Sequence, residues 1–105
     1  MNTKSYPDTI YIEIESELEP IVPEFIENRK KDCILISTLL ETSSFGEIRT
    51  LGHRMKGAGG SYGFDDISEL GETIEDAALT GDTGAICNAI QQLSVYLERV
   101  VAVYV

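Results

Sequence analysis

The sequence predicts an all-α protein, an antiparallel four-helix bundle with an extended N-terminal arm. Three observations predict it. Four stretches repeat apolar residues at the three-and-four spacing of a helix face. Short breaks rich in Ser, Thr, Gly and Asp separate them, and short connections make neighbouring helices antiparallel. The one alternating stretch, TIYIEIE at 9–15, has no second strand pattern to pair with. The arm is expected to span residues 1–17 and the bundle residues 18–105, a single domain in a chain of 105 residues.

In the arm, Ile10, Ile12 and Ile14 fall on one side and are expected to lie on the body of the domain. A β-augmenting edge, or an arm exchanged between protomers, is the alternative use of such a pattern. The first helix is expected from about Glu19 to Thr42, with Pro20 and Pro23 near its start, where proline is tolerated. Its stripe includes Leu18, Ile21, Val22, Phe25, Ile26, Cys33, Ile36 and Leu40, and Thr42-Ser43-Ser44 breaks it and can cap the next helix. The second helix is expected over 45–62, with Phe45, Ile48, Leu51, Met55 and Tyr62 inward and Gly63 as terminator. The third starts at Asp65 or Asp66, good N-cap residues, carries Ile67, Leu70, Ile74, Ala77 and Ala78, and stops at Thr80-Gly81. The fourth is capped by Asp82 or Thr83 and repeats Ile86, Ile90, Leu93, Leu97, Val100 and Tyr104.

Composition narrows the function. The chain is 43% hydrophobic and 25% charged, ordinary for a globular protein, with a net charge of −10. That charge argues against nucleic acid and anionic membrane surfaces as partners, because binding phosphates takes a basic stripe. No apolar run is long enough to span a membrane, and no signal peptide is evident, so a cytoplasmic location is expected. Cys33 and Cys87 are far apart in apolar helical stretches, so a disulfide is poorly supported. No Cys/His spacing suggests a metal site, and the Gly-rich stretch matches no nucleotide loop, so no metal or cofactor is expected.

The chemistry concentrates in LGHRMKGAGGSYGF, 51–64, which holds the only histidine and five of the nine glycines. Glycine costs a helix about 1 kcal/mol against alanine, so this many beside the one imidazole need a reason. On a helical wheel centred on Ile48, Gly52 and Gly59 look inward, where they allow a close neighbour. His53 lies roughly 140° away, on the solvent side, with Arg49, Lys56, Gly57 and Gly60 beside it. Gly57 and Gly60 clear that face for an approaching macromolecule. A neutral imidazole is a nucleophile near neutral pH, and Lys56 at i+3 supplies a compact positive charge for a phosphoryl group. The ring lacks a carboxylate one turn away on its own helix. Glu72 and Glu75 on the third helix are the candidates to accept the Nδ1 proton and leave Nε2 free. Ser61 has no evident acid partner for a serine triad, and the many carboxylates read best as a solvated surface. With no ATP-binding region, any phosphoryl group must arrive on another protein.

His53-Arg54-Met55-Lys56-Gly57-Ala58-Gly59-Gly60-Ser61-Tyr62-Gly63-Phe64 resembles the signature of histidine-containing phosphotransfer (HPt) domains, H-x-[LM]-K-G-[SA] followed by small residues, an aromatic or aliphatic residue and glycine. DDISELGETIEDAALTGD resembles the family's third helix and turn, and VPEFIENRKKD its first helix; the resemblance covers about 18–103. Gly59-Gly60 stands where serine or alanine is more common, which should loosen the end of the second helix. The resemblance implies a four-helix phosphocarrier, not an enzyme in its own right, relaying phosphoryl groups between receiver domains of response regulators in a multistep His–Asp relay. A hybrid sensor kinase is a further partner it implies. His53 would be the phosphoacceptor, Lys56 would stabilise the phosphoryl group, Gly57 would keep access open, and Glu75 would bond Nδ1. A monomer is expected, with the isoleucine arm leaving dimerisation open.

Competing readings are a binding module that docks on a receiver or kinase without being phosphorylated, and the same domain cut from a larger hybrid kinase. The initial methionine and the final helical repeat favour a complete small protein over the second of these. A hydrolase using His53 as general base is disfavoured because the motif lacks a set of polar pocket residues.

Overall fold

The computed structural model describes residues 6–105, so the first five residues of the expected arm lie outside the described residues. The element order is strand β1 (Ile10–Ile14), a 3-10 turn (Ser16–Leu18), helices α1 (Val22–Glu41), α2 (Phe45–Tyr62), α3 (Asp65–Leu79) and α4 (Thr83–Arg99), and strand β2 (Val100–Tyr104). Four helices pack together, as the periodicity predicts.

The start of α1 is set by its prolines. Pro20 and Pro23 have no N–H to give an i→i−4 ladder. The chain instead makes 3-10 bonds from Leu18 N–H to Glu15 O and from Glu19 N–H to Ser16 O, and the α-ladder begins with Phe25 N–H to Ile21 O at 3.0 Å. The helix therefore starts at Val22, three residues after the expected Glu19. The α1–α2 connection breaks where expected but is capped differently. Ser44 precedes α2, yet its hydroxyl bonds Thr42 Oγ1 at 2.7 Å and no side chain caps the helix. Gly63 ends α2 in the left-handed region, φ +86°, and Phe64 N–H reaches back to Gly59 O at 2.8 Å, a C-terminal closure that glycine admits without strain. The N-cap of α3 is Phe64, not Asp65 or Asp66. Both aspartates sit in the first turn, where a carboxylate meets the positive end of the helix dipole. Asp82 caps α4 by accepting from Ala85 N–H at 3.0 Å.

The end of α4 departs most from expectation. The helix stops at Arg99, and Val100 turns extended with ψ 135°. Residues 100–104 then run parallel to β1 in the register Ile10↔Val100 through Ile14↔Tyr104. The alternating arm does have a partner, then. Val100 and Tyr104 are four apart, which suits a helix face and equally one face of a strand. Val-Val-Ala-Val-Tyr is β-branched and aromatic, a composition that favours the strand once an edge is available. Val100, Ala102 and Tyr104 pack on the core alongside Ile10 and Ile12, and Ile14 is fully buried.

The core joins all four helices: Phe25 and Ile36 from α1, Ile48 and Met55 from α2, Ile67 and Ile74 from α3, Ile86 and Leu93 from α4, with Phe64 from the α2–α3 turn. Among the described residues the buried side chains are apolar apart from the thiol of Cys33 and the hydroxyl of Tyr96. Cys33 is buried, Cys87 is exposed, and the two are unpaired. Burial in the apolar core raises the Cys33 thiol pKa above its ordinary value, which keeps it protonated.

Candidate functional site

The α2–α3 pair is the closest helix contact in the molecule, and three glycines make it so. A Cβ on Gly71 would lie 2.6 Å from Lys56 N; on Gly52, 2.7 Å from Glu75 N; on Gly59, 2.6 Å from Ser68 N. These are close approaches to backbone, at which any added side chain forces the helices apart. The pairings 52–75, 56–71 and 59–68 run in opposite directions along the two helices, so α2 and α3 are antiparallel. Ser68 Oγ locks the same seam by donating to Lys56 O at 2.8 Å. Gly52 and Gly59 thus take the inward places expected of them. Gly71 completes the seam from α3, and sequence reasoning missed it, although a glycine in mid-helix opposite two inward glycines is the same signal.

This seam sets the polar geometry above it. His53 Nδ1 lies 2.8 Å from Glu75 Oε2. One turn along, Lys56 Nζ donates to Glu72 Oε1 at 3.3 Å. The two glutamates left open by the sequence therefore divide: Glu75 meets the imidazole and Glu72 meets the ammonium. A carboxylate oxygen accepts, so Nδ1 carries a proton in this arrangement, and in the neutral imidazole Nε2 holds the lone pair. The His53 side chain is 72% exposed, whereas that of Glu75 is 17% exposed. A ring in water is thus braced from below by a largely covered carboxylate.

The surroundings are open. Beside His53 lies a shallow depression of about 360 Å³ lined by Gly46, Arg49, Thr50, His53 and Glu75. Against its other side, a larger groove of about 500 Å³ runs between α1 and α2, lined by Leu35, Leu39, Gly46, Glu47, Thr50, Leu51 and Arg54. A Cβ on Gly57 or Gly46 would meet nothing within 4 Å, and one on Gly60 only the Ser68 hydroxyl at 3.7 Å. Gly46 lies seven residues before His53, almost in line with it on the helix surface, so the bare track flanks the imidazole on both sides. Sequence reasoning saw Gly57 and Gly60 and missed Gly46, because a glycine in the first turn of a helix reads as a boundary residue.

Arg49, Arg54 and Lys56 place three of the chain's eight Lys and Arg residues on α2, in a protein of net charge −10. That gives the helix carrying the imidazole a cationic character absent from its neighbour α3. Among the described residues, no cluster of three or more His, Cys, Asp or Glu side chains is arranged to hold a metal ion. No described helix is long and apolar enough to cross a membrane. The site can offer an anchored nucleophilic nitrogen, a nearby ammonium and open access; it has no walls to enclose a small substrate.

Comparison with known proteins agrees with this geometry. The family model described as the Hpt domain matches residues 21–103. No curated protein and no solved structure matches the chain.

Proposed function

Because the chain belongs to the Hpt domain family, which carries phosphoryl groups on histidine in phosphorelay signalling, we propose that His53 is its phosphoacceptor and relays between aspartates of receiver domains. The observation that carries this reading is the exposed imidazole held at Nδ1 by Glu75 at 2.8 Å. An Hpt domain is a phosphocarrier and not a kinase, so the donor is a receiver aspartyl phosphate, a mixed anhydride with high transfer potential.

The Nε2 lone pair attacks phosphorus, the N–P bond forms, and the P–O bond to the aspartyl carboxyl breaks with its electron pair leaving on the carboxylate. The Nδ1 proton stays where it is. The ring becomes cationic as the bond forms, and Glu75 lies against that developing charge. Lys56 neutralises the phosphoryl oxygens, releasing Glu72 as it does so. Gly57, one turn beyond His53, leaves the receiver's approach unobstructed. The carrier has only to hold a nucleophile in line, because positioning and charge neutralisation supply most of the catalysis of phosphoryl transfer. An open surface suits this task, since the receiver's own active site closes over the ring.

The test mixes the purified chain with a receiver domain carrying labelled phosphate, alongside His53→Gln. Label should move to the wild type alone and be lost in acid but kept in base. Label reaching His53→Gln would overturn the site assignment. Receiver binding indifferent to His53, with no transfer, would support the non-phosphorylated binding module.

A further inference from the structure

The polar row above the glycine seam has one rung without a counter-ion. The antiparallel α2 and α3 bring Gly60 beside Ser68, Lys56 to Glu72 and His53 to Glu75. The same helical step places Arg49 across from Leu79, which is 57% exposed and has no charge to offer it. Glu47, the only acidic residue of α2, lies two positions from Arg49 and so on another face. Among the described residues, no hydrogen bond or ion pair holds the Arg49 guanidinium. Acidic residues outnumber Lys and Arg by 18 to 8 in this chain, yet this exposed cation beside the imidazole is left to an incoming anion.

Arg49 also stands where such an anion arrives. It lies one turn before His53, and Lys56 lies one turn after. On the helical wheel both are on the α3 side of the ring, about 40° and 60° round from it. The depression of about 360 Å³ beside the imidazole is lined by Arg49 and not by Lys56. Its other polar side chains are engaged: Thr50 Oγ1 donates to Gly46 O at 3.2 Å, and Glu75 holds His53 Nδ1 at 2.8 Å. The free donors facing that space therefore belong to Arg49, and Gly46 beside them has no side chain to intrude.

Resting on the phosphotransfer reading of His53, we propose that Arg49 grips the phosphoryl group once it is on Nε2, and so sets how firmly the carrier retains it. The guanidinium donates two N–H bonds to phosphoryl oxygens, the bidentate geometry that suits arginine. No covalent bond changes in this step. A dianionic group gains a cation four residues back on its own helix face. The two cations differ in what they give up: Lys56 must leave Glu72, whereas Arg49 leaves no partner. Arg49 makes its contact in the phosphorylated state alone, so it favours that state over the free carrier.

The test uses the full, untagged chain, whose single histidine assigns every phosphohistidine signal to His53. The first measurement is the equilibrium of label between a receiver aspartate and the carrier, approached from both directions. Arg49→Ala should shift it about three- to tenfold toward the receiver, and Arg49→Lys by less. That equilibrium depends only on the separated proteins, so a residue that merely helps docking changes rates and leaves it unmoved. The second measurement needs no receiver: the chain is phosphorylated with phosphoramidate, and the phosphoryl group is titrated by phosphorus NMR. A nearby cation favours the dianion, so the group on Arg49→Ala should titrate at higher pH than on wild type, with Arg49→Lys between them. Far-UV circular dichroism checks that each variant folds. Either readout unmoved in Arg49→Ala would overturn the proposal, while label still passing to His53 would keep the relay reading. A wild type that takes no label from any receiver would instead sink the relay reading, and the titration alone then decides the role of Arg49.

Discussion

Gly71→Ala tests the seam that sets the site. Its new Cβ would lie 2.6 Å from Lys56 N and 2.8 Å from Gly52 O, both backbone atoms that cannot swing aside. Ordinary contact begins near 3.4 Å, so α2 and α3 must part by about 0.8 Å at this level. Alanine returns about 1 kcal/mol of helix propensity. Overpacking of this kind costs about 1–3 kcal/mol, and rigid backbone on the far side places it at the upper end. The net loss is about 1–2 kcal/mol, or a fall in Tm of roughly 5–15 °C for a domain of this size. Gly57→Ala is the matched control: the same chemical change meets nothing within 4 Å and should gain up to about 1 kcal/mol. Thermal and urea denaturation, followed by far-UV circular dichroism, read both. If the two variants move stability in the same direction, the close-approach reasoning is wrong. Parting the helices also separates Lys56 from Glu72 and His53 from Glu75, so Gly71→Ala should transfer phosphate more slowly than its stability alone explains.

The remaining predictions concern the site and the core. Glu75→Ala should slow phosphoryl acceptance about tenfold or more in single-turnover assays by freeing the ring to rotate. Glu75→Gln keeps an acceptor for the Nδ1 proton and should fall between the two; equal rates for all three would remove Glu75 from the mechanism. Lys56→Ala should slow transfer while changing stability by less than about 1 kcal/mol, because the Lys56–Glu72 pair is solvent-exposed; unfolding curves and transfer rates measured on one preparation separate the two effects. Tyr96 is fully buried with its hydroxyl unpartnered, so Tyr96→Phe should hold or raise stability, since an unsatisfied buried hydroxyl costs about 1–3 kcal/mol. Burial, aided by the negative charge of Asp66, pushes the Tyr96 pKa well above the ordinary 10.0. The folded state therefore holds this proton longer than the unfolded chain does. Stability should fall as pH rises above about 10, and Tyr96→Phe should flatten that fall; an unchanged alkaline profile would assign the loss to other groups.

Much of this was legible from residue spacing, because a helix face is a periodic object. The bounds of α2 come from Phe45 to Tyr62 with Gly63 beyond, and the inward places of Gly52 and Gly59 come from the same wheel. The end of α4 was not legible. Val100 and Tyr104 fit a helix and a strand equally, and the choice was made by β1, some 90 residues earlier in the chain. Pairing at the site was legible only as a short list. Glu72 and Glu75 lie within one turn of each other on α3, and the offset between two helices decides which meets His53. That offset comes from the three glycines in the seam, one of which carries no signal until its partners are seen facing it. The N-cap of α3 misled for a local reason: aspartate is favoured both at the cap and in the first turn, so Asp65-Asp66 marks a start without fixing its residue.

The parallel pairing of β1 with β2 has a consequence for how the chain folds. Ile10 meets Val100 across nearly the whole sequence. Closing a loop of that length from an open chain is entropically unfavourable, and five residue pairs in register do little to offset it. Once the four helices have docked, the two ends are already neighbours and the closure costs almost nothing more. The sheet should therefore form last, on a bundle that is already assembled, and open first. Amide exchange along Val101 and Val103 should report this late step, with protection well below that of Ile48 or Leu93.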